Sequence, residues 1–355
     1  MQLSITRRTD LKQIPAFDST LGFGRNFTDH MFLMEWKGEW KNPRIVPHGT
    51  LELDPAAMCF HYGQEIFEGM KVFRNAAGRI QLFRSIDNFR RMNVSAKRMV
   101  MPPMDADFLN EVLKTFVDIE RKWVPDRKGY SLYIRPTMIS TEAVLGVRPS
   151  EEYLFFMIAC PVASFFPEQE GQLKAVKIFV STDYVRAAPG GTGSAKTAGN
   201  YAASLSAQVQ ARAAGCQQVM WLDALERKYV EEVGTMNIFA VMDGKLVTSP
   251  LTGTILAGIT RDSVIQISRH MEIPVEEKRF TIDELIGGIQ SGTVTEVFGS
   301  GTAAIISPVN RIVFKGEEYI VGNDGVGGVS EKIYNKLLGI QYGTEVDPFD
   351  WVLEV

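Results

Sequence analysis

The sequence predicts two α/β or α+β domains joined by a short linker. A chain of 355 residues is too long for one ordinary hydrophobic core. Stretches of strand type and of helix type alternate in both halves. Between them, proline, glycine and polar residues separate the apolar stretches of segment 164–174. We therefore expect a small N-terminal domain over 1–167, an interdomain linker over 168–175 and a large domain over 176–355.

The first half begins with a predicted β-hairpin. Two β-rich runs flank the turn sequence NAAG within 69–84. Ser85 then precedes a stretch whose apolar residues recur at helical spacing, which predicts a helix. Further predicted elements are a helix over about 105–122 and strands over 129–139 and 152–162.

The second half has more strand signals than helix signals. The Ala-rich stretch 200–215 ends in a glycine, as helices commonly do, and predicts one helix. A hairpin is predicted to turn at Asp243-Gly244. The other predicted elements are strands over 175–183 and 217–223, a helix over 260–270, and two strands joined by a glycine turn within 293–309.

Composition excludes several classes of function. The formal net charge is -4 and no basic face stands out, so no nucleic-acid partner is expected. The most apolar run, 153–166, is too short to span a bilayer and contains a proline, so no membrane partner is expected either. The N-terminus lacks the apolar core of a secretory signal. Three widely spaced cysteines and four histidines without ligand spacing predict no metal site and a cytoplasmic location.

The stretch PGGTGSAKTAGNY (189–201) raises the question of what Lys196 does. A phosphate loop of the G-x-x-x-x-G-K-[ST] type fits 190–197, except that Ala195 replaces the glycine before the lysine. That glycine allows the tight turn around phosphates, so the phosphate-loop interpretation is disfavoured. A solvated loop lysine is the ordinary alternative. Against it, Tyr201 and the carboxylates of EEVGTMN (231–237) are residues that, with a lysine, could hold an aldehyde cofactor.

Seven motifs together carry a family resemblance. In order along the chain they are HYGQEIFEGMKVFR, SLYIRPTMISTEAVLGV, YVRAAPGGTGSAKTAGNY, GCQQVMWLD, EVGTMN, AGITRDSV and FGSGTA. The chain closely resembles branched-chain-amino-acid aminotransferases, which are fold-type IV enzymes dependent on pyridoxal 5'-phosphate (PLP). The resemblance extends from about residue 23 to residue 345. It implies a two-domain fold like that of D-amino-acid aminotransferase, with the large domain binding PLP.

The resemblance implies which residues hold the cofactor. Lys196 matches the catalytic lysine to which PLP is covalently bound, and a lysine amine can also carry a proton to and from the substrate. Glu232 matches the carboxylate that pairs with the pyridine nitrogen. The adjacent Glu231 is its competitor, and only the fit of EVGTMN chooses between them. Tyr201 matches the tyrosine that bonds the phenolic oxygen of the cofactor.

The phosphate site follows from the same resemblance. It implies that Arg91 and the backbone of Ile259 and Thr260 bind the phosphate, with Thr302 contributing. The start of a helix presents N–H groups that favour an anion, and arginine can grip phosphate through two hydrogen bonds.

The resemblance also implies a substrate site and a reaction. The turn Thr302-Ala303 would bind the substrate α-carboxylate, helped by Tyr62, and Arg135 would bind the distal carboxylate of glutamate. The residues matching the apolar side-chain pocket are Phe27, Phe67, Tyr133 and Val147. The implied reaction is a ping-pong transfer of the amino group from L-leucine, L-isoleucine or L-valine to 2-oxoglutarate, yielding glutamate. The implied assembly is a homodimer with the active site at the domain interface, completed by a loop of the partner subunit.

Two departures and two rival functions remain at this stage. Ala304 and Ser307 occupy the places of a Cys-x-x-Cys pair found in some relatives, so redox control is not expected. Phe165 stands where relatives often have a tyrosine. The nearest rival is another fold-type IV enzyme, either a D-amino-acid or amine transaminase or an aminodeoxychorismate lyase. The rival from another class is a phosphate-loop nucleotide binder, and a catalytically inactive relative is a further alternative.

Overall fold

The computed structural model describes residues 1–163 and 173–355. Most of the predicted linker segment, together with Phe165, lies outside these residues. Within the described part of the chain, no helix is long and apolar enough to cross a membrane.

The described residues form strands and helices along almost the whole chain. The strands are β1 (Ser4–Ile5), β2 (His30–Lys37), β3 (Trp40–Pro47), β4 (Glu65–Phe67), β5 (Met70–Arg74), β6 (Ile80–Phe83), β7 (Ser131–Ser140), β8 (Glu152–Val162), β9 (Val176–Val180), β10 (Gln218–Leu222), β11 (Val230–Val233), β12 (Met236–Met242), β13 (Lys245–Thr248), β14 (Val275–Glu277), β15 (Val294–Gly301), β16 (Ile305–Phe314), β17 (Glu317–Ile320) and β18 (Val352–Glu354). The helices are α1 (Met58–Tyr62), α2 (Ser85–Arg98), α3 (Ala106–Ile119), α4 (Ala198–Ala202), α5 (Leu205–Ala213), α6 (Ile259–His270), α7 (Ile282–Ser291) and α8 (Gly328–Gln341).

The chain divides into two compact units. Unit 1 comprises Met1–Gly171, Ala195–Ala198 and Gly339–Val355, and unit 2 comprises Gln172–Ser194 and Gly199–Leu338. This division differs from the predicted domain boundaries in two places. The C-terminal segment belongs to unit 1 because β18 pairs antiparallel with β6. The short piece around Lys196 belongs to unit 1 because Thr197 bridges to Ile66 of β4.

Unit 1 is built on one mixed sheet in the order β1-β3-β2-β8-β7-β5-β6-β18, with β4 also paired to β7. Alternate residues of a strand point to opposite faces of a sheet. On one face Leu132 and Ile134 of β7 lie in a buried apolar core with Phe89 of α2 and Phe116 of α3. The other face of β7 therefore presents Tyr133 and the residues two positions along from it.

Unit 2 is built on a second sheet in the order β11-β10-β9-β16-β15-β12-β13-β14, with β17 paired to β16. Strand β9 pairs parallel to both β10 and β16, whereas β11, β12, β15 and β16 run antiparallel to their neighbours in the series. Phe239 of β12 stacks on Phe298 of β15 with ring centroids 5.2 Å apart. This sheet brings the ends of β11, β12 and β15 side by side, and those ends carry three of the sequence motifs.

Most predicted elements are confirmed, with small shifts at their ends. Both hairpins, the helices now labelled α2, α3 and α6, and the strands β7 to β10 all form where the sequence predicts them. The single helix predicted over 200–215 is wrong, because the structure has α4 and α5 there. The Ser204 side chain donates a hydrogen bond to the Tyr201 carbonyl at 2.7 Å, and it thus competes with the backbone N–H that would continue the helix.

Lys71 gives a test of how tightly unit 1 is packed. It lies on β5 opposite Tyr133, and burial lowers its pKa to about 8. An unfolded lysine titrates near about 10.4, so the folded chain binds fewer protons between about pH 8 and 10.4 and stability rises with pH there. We expect Lys71→Met to raise the free energy of unfolding at pH 7 by up to about 3 kcal/mol.

The gain should shrink between about pH 8 and 10.4, measured as the difference in thermal unfolding midpoint between variant and wild type. The matched control is Lys97→Met at an exposed position of α2, which should leave the midpoint almost unchanged. A gain that is the same at every pH would contradict this explanation.

Candidate active site

The backbone on both sides of Lys196 is fixed to unit 1. The Lys196 N–H donates to the Ser95 hydroxyl of α2 at 2.9 Å. Its carbonyl accepts a hydrogen bond of 3.0 Å from the Phe67 N–H of β4. The Thr197 hydroxyl donates to the Glu65 carbonyl at 2.7 Å. These bonds hold the lysine at the edge of β4, which is not the strand-to-helix turn that a phosphate loop requires.

The glycine-rich turn before Lys196 is ordered by an asparagine of unit 2. The Asn200 side chain donates to the Thr192 carbonyl at 2.8 Å and accepts from the Thr192 hydroxyl at 2.7 Å. These two bonds close the turn without a bound anion. The motif GTGSAKTAGN therefore contains its own stabilising side chain, a short distance along the chain from the glycines that make the turn possible.

Phe67 lies beside two cationic side chains of unit 1. The Lys196 Nζ lies 4.9 Å from the centre of the Phe67 ring, and the Arg135 Cζ lies 4.7 Å from it. An aromatic face attracts a cation at these distances. Phe67 is thus a neighbour of both the predicted catalytic lysine and the arginine predicted to bind a distal carboxylate.

Tyr133 and Arg135 form a second contact on the same face of β7. The Arg135 Nη2 donates to the Tyr133 hydroxyl at 3.0 Å. The Arg135 Nε is buried and has no hydrogen-bond partner among the described residues. The Tyr133 hydroxyl lies directly over Gly69, where a Cβ atom would come within 1.9 Å of it. Glycine at 69 is therefore required for the tyrosine to occupy this position.

Phe27 also belongs to this region of unit 1. It packs against the buried cluster of Tyr133, Cys160 and Val162, and its ring stacks on His48 at 5.2 Å. Burial raises the pKa of the Cys160 thiol to about 11, so this cysteine stays protonated and unreactive at neutral pH. The structure thus brings four of the predicted substrate residues of unit 1 together: Phe27, Phe67, Tyr133 and Arg135.

Tyr62 and Val147 lie apart from that group. Tyr62 ends α1 with more than a third of its surface exposed, and Val147 is 89% exposed in the loop after β7. The two segments are joined through the bridge between Ala57 and Ala143. Neither residue lines an enclosed pocket in its own unit, which differs from the simple expectation of a pocket wall within one chain.

Arg91 is held by a buried carboxylate. Its Nε and Nη2 donate to the two carboxylate oxygens of Glu68 at 2.8 and 2.7 Å. Glu68 is 0% exposed and Arg91 is nearly buried. The sequence does not single out Glu68, yet this paired contact fixes the direction of the guanidinium that is predicted to bind phosphate.

Glu232 lies at the centre of a hydrogen-bonded network in unit 2. Its carboxylate forms an ion pair with the Arg186 Nε and accepts a hydrogen bond of 2.9 Å from the Asn237 amide. Arg186 is itself held by the Gly193 and Thr254 carbonyls at 2.9 and 2.6 Å. A buried carboxylate with an arginine and an amide donor is strongly stabilised as the anion.

Glu231 has a different environment from its neighbour. It accepts a hydrogen bond of 2.6 Å from the Thr254 hydroxyl, and burial raises its pKa. Successive residues of β11 point to opposite faces, and the cavity that contains Glu232 is lined by Tyr201, Asn200 and Arg186 but not by Glu231. The geometry therefore favours Glu232 as the functional carboxylate.

Ile259 and Thr260 form the first turn of α6. The N-cap is Gly258, which has no side chain to satisfy the N–H groups at the start of the helix. Such a helix start favours an anion through its N–H groups and dipole. Thr302 and Ala303 lie in the turn that joins β15 to β16, half-buried.

Unit 2 also contains a buried hydroxyl that fits a polar ligand. The Ser300 Oγ is buried without a hydrogen-bond partner among the described residues. Ser300 pairs in register with Asn237, which pairs in register with Glu232. An anionic, heteroaromatic cofactor such as PLP fits this set, because the set offers a carboxylate for a ring nitrogen, a phenol, a helix start with a glycine N-cap and a hydroxyl in need of a partner. Across residues 1–163 and 173–355 there is no cluster of His, Cys, Asp and Glu that could hold a metal ion.

The structure adds three residues that sequence reasoning missed: Glu68, Arg186 and Asn237. Each lies inside a motif that the sequence analysis quotes, but its role depends on a contact across the fold. A buried charged or amide residue within a glycine-rich motif was the available signal.

Comparison with known proteins agrees with this site. A family model described as class IV amino-transferase matches residues 65–312. The branched-chain-amino-acid transaminase 1 of Bacillus subtilis (strain 168) is 50% identical over 339 residues, covering 95% of this chain and 95% of that protein. A probable branched-chain-amino-acid aminotransferase of Staphylococcus epidermidis is 46% identical over 356 residues, covering 100% of this chain and 98% of that protein.

Solved structures give the same result. The Escherichia coli branched-chain amino acid aminotransferase has a TM-score of 0.76 at 28% identity, covering 91% of this chain and 98% of that chain. Another solved branched-chain amino acid aminotransferase, from the organism abbreviated T.th., is complexed with N-(5'-phosphopyridoxyl)-L-glutamate. It has a TM-score of 0.73 at 28% identity, covering 90% of this chain and 97% of that chain.

The Glu68–Arg91 pair gives a stability test. Glu68→Gln leaves the buried Arg91 guanidinium without its counter-ion, and we expect a loss of about 3 kcal/mol or more in the free energy of unfolding. The control is Glu111→Gln, which removes an exposed partner of Lys114 on α3 and should cost less than about 1 kcal/mol. Thermal unfolding of both variants measures the difference, and equal effects would argue against a structural role for this pair.

Proposed function

This chain belongs to the class IV aminotransferase family, and on that premise we propose that it is a PLP-dependent branched-chain-amino-acid transaminase. The Bacillus subtilis relative carries that name over nearly the whole length of both proteins. The observation that carries the proposal is the placement of Lys196. Its backbone is fixed by hydrogen bonds to β4 and α2, while its amine lies beside Phe67 in a group of predicted substrate residues.

We assign the cofactor residues from both units. When bound, PLP supplies an aldehyde that accepts amino groups and a ring that accepts the electrons left when a substrate α-carbon loses its proton. Lys196 binds that aldehyde, and Glu232 holds a proton on the ring nitrogen. The ion pair with Arg186 supports this role, because it keeps Glu232 anionic in a buried position. Tyr201 lines the same cavity as Glu232 and bonds the phenolic oxygen.

We assign the phosphate end to Arg91, Thr302 and the first turn of α6. Glu68 supports the role of Arg91 by fixing its guanidinium through two hydrogen bonds. Gly258 supports the role of Ile259 and Thr260, since a glycine N-cap adds no side chain that would compete with an anion at the helix start.

Once its amine is released, Lys196 moves the proton of the reaction. We propose that its Nζ takes the proton from the substrate α-carbon and returns one during the transfer. A fixed backbone with a long side chain suits this role, because only the four-carbon stem has to swing. The Phe67 ring next to Nζ favours its cationic form and offers a resting position after the proton is taken.

The substrate site must accept both an apolar and an acidic side chain. We propose that L-leucine, L-isoleucine or L-valine donates the amino group and that 2-oxoglutarate receives it in a ping-pong cycle, forming glutamate. The apolar side chain contacts Phe27, Phe67 and Tyr133. Arg135 binds the distal carboxylate of the acidic substrate, and its unpaired, buried Nε supports this assignment because it lacks an acceptor among the described residues. Thr302 and Ala303 bind the α-carboxylate.

We also propose a homodimer in which Tyr62 and Val147 act at the site of the partner subunit. Both are exposed in unit 1, as are Phe60 of α1 and Leu145 of the loop after β7. Four exposed apolar side chains on two joined segments are typical of an interaction surface. A second copy of the chain would cover them and would bring Tyr62 and Val147 to a substrate. The cytoplasmic location expected from the cysteine pattern stays a prediction.

The visible absorption spectrum of the purified, PLP-incubated protein tests the reaction. We expect a yellow protein that L-leucine bleaches and that 2-oxoglutarate restores, because each half-reaction changes the chromophore. Lys196→Ala is the matched variant and should abolish transamination while thermal unfolding stays close to wild type. A response to D-alanine or an amine alone would favour the rival fold-type IV activities, and a protein that stays colourless would refute the role of Lys196.

The dimer is tested separately. We expect Leu145→Asp to weaken self-association about tenfold or more, since it places a charge in the proposed apolar contact. Leu225→Asp is the control, because Leu225 is 78% exposed in unit 2 against 68% for Leu145 in unit 1. Sedimentation across a range of concentrations measures both variants. A monomeric wild type, or a Leu145→Asp dimer of unchanged strength, would be evidence against the proposed surface.

A further inference from the structure

Asn237 occupies the middle of a row of polar residues in unit 2. It is buried on β12, in register with Glu232 of β11 on one side and with Ser300 of β15 on the other. It ends the EVGTMN motif, whose resemblance assigns a role only to its glutamate. A buried amide must satisfy its donors and acceptor within the protein, so its contacts define what it holds in place.

The amide nitrogen of Asn237 joins two parts of the unit. It donates to the Glu232 carboxylate at 2.9 Å and to the Leu256 carbonyl at 2.9 Å. Both partners are acceptors only, so the nitrogen and not the oxygen of the side chain must face them. Leu256 lies just before the turn that enters α6. One NH₂ group therefore connects the carboxylate assigned to the ring nitrogen with the approach to the helix assigned to the phosphate.

The amide oxygen of Asn237 packs on the other side of the same turn. A Cβ atom at Gly258 would lie 2.0 Å from the Asn237 Oδ1. The backbone of Gly258 has φ -69° and ψ 130°, which any residue can adopt. Glycine is thus needed at 258 for space and not for its conformational freedom. The N-cap of α6 and the Asn237 amide are in direct contact.

We propose that Asn237 is a positioning residue that sets the Glu232 carboxylate and the N-terminus of α6 at a fixed separation, matched to the two ends of one bound PLP. This inference rests on the proposed function. The physical basis is that a rigid amide, with both ends engaged, transmits a fixed geometry that long, flexible side chains do not. Its neutrality is also required, since Glu232 already has its counter-ion in Arg186.

The test compares Asn237→Asp with Asn335→Asp, a control at an exposed position of α8. Asn237→Asp keeps the size of the side chain but places a second carboxylate against Glu232 and an acceptor against the Leu256 carbonyl. The affinities of the cofactor-stripped full chain for PLP and for pyridoxal, which lacks the phosphate, are measured by absorbance titration. Thermal unfolding is followed in parallel.

We expect Asn237→Asp to bind PLP about tenfold to a hundredfold more weakly than wild type, as for loss of a hydrogen bond to a charged group. The advantage of PLP over pyridoxal should also decrease, because the phosphate end is displaced together with the ring end. A merely structural role would lower the unfolding midpoint and leave that ratio unchanged. An unchanged ratio therefore overturns the proposal.

Gly258→Ala provides a second variant in case Asn237→Asp does not fold. It alters neither Asn237 nor Glu232 chemically but displaces the amide through its Cβ, so the same two changes in affinity are expected. Gly287→Ala is its control, since a Cβ at Gly287 meets nothing within 4 Å. If wild type binds PLP and Gly258→Ala matches it for both ligands, the inference fails and the proposed function stands. If wild type binds no PLP, both fail.

Discussion

Burial of carboxylates beside arginine is the constraint on which the candidate site depends. A carboxylate taken out of water is costly unless a cation and hydrogen bonds replace its hydration. Glu68 in unit 1 and Glu232 in unit 2 are both buried, and each is matched by one arginine. Removing either arginine would leave an uncompensated charge. The ion pairs therefore fix where the carboxylates and the guanidinium groups point, before any ligand is bound.

The two ion pairs serve opposite ends of the proposed chemistry. In unit 1 the arginine is the functional group and the glutamate is its support, because Glu68 engages two of the donors of Arg91 and thereby orients the guanidinium. In unit 2 the carboxylate is the functional group, and Arg186 supports it while being held by two backbone carbonyls. The same interaction thus presents a cation in one place and an anion in the other. Which partner acts is decided by the residues around the pair.

Local sequence predicts local structure well in this chain, and it predicts contacts between distant segments poorly. The hairpin at NAAG and the helix after Ser85 depend on turn chemistry and periodicity within a few residues, and both are confirmed. The break between α4 and α5 was missed because one serine hydroxyl bonding the Tyr201 carbonyl outweighs good helix propensity. The motifs assign Lys196 and Glu232 through resemblance, whereas Glu68 and Asn237 require the fold, since their partners come from other elements. The exposure of Val147 was equally hidden, because periodicity within a loop carries no signal for it.

Tolerance of both apolar and acidic substrates follows from how Arg135 is stored. A bare guanidinium in an apolar pocket would oppose a leucine side chain. Here the Arg135 guanidinium lies against the Phe67 and Tyr133 rings, at 4.7 and 5.3 Å, and one of its donors bonds the Tyr133 hydroxyl. The aromatic faces offset part of its charge while its Nε stays without an acceptor among the described residues. An apolar side chain then meets mainly aromatic carbon, and an acidic one finds an arginine with a donor to offer. The packing of Tyr133 on Gly69 keeps this arrangement rigid, so specificity in this site depends on an arginine being partly covered and not on its being absent.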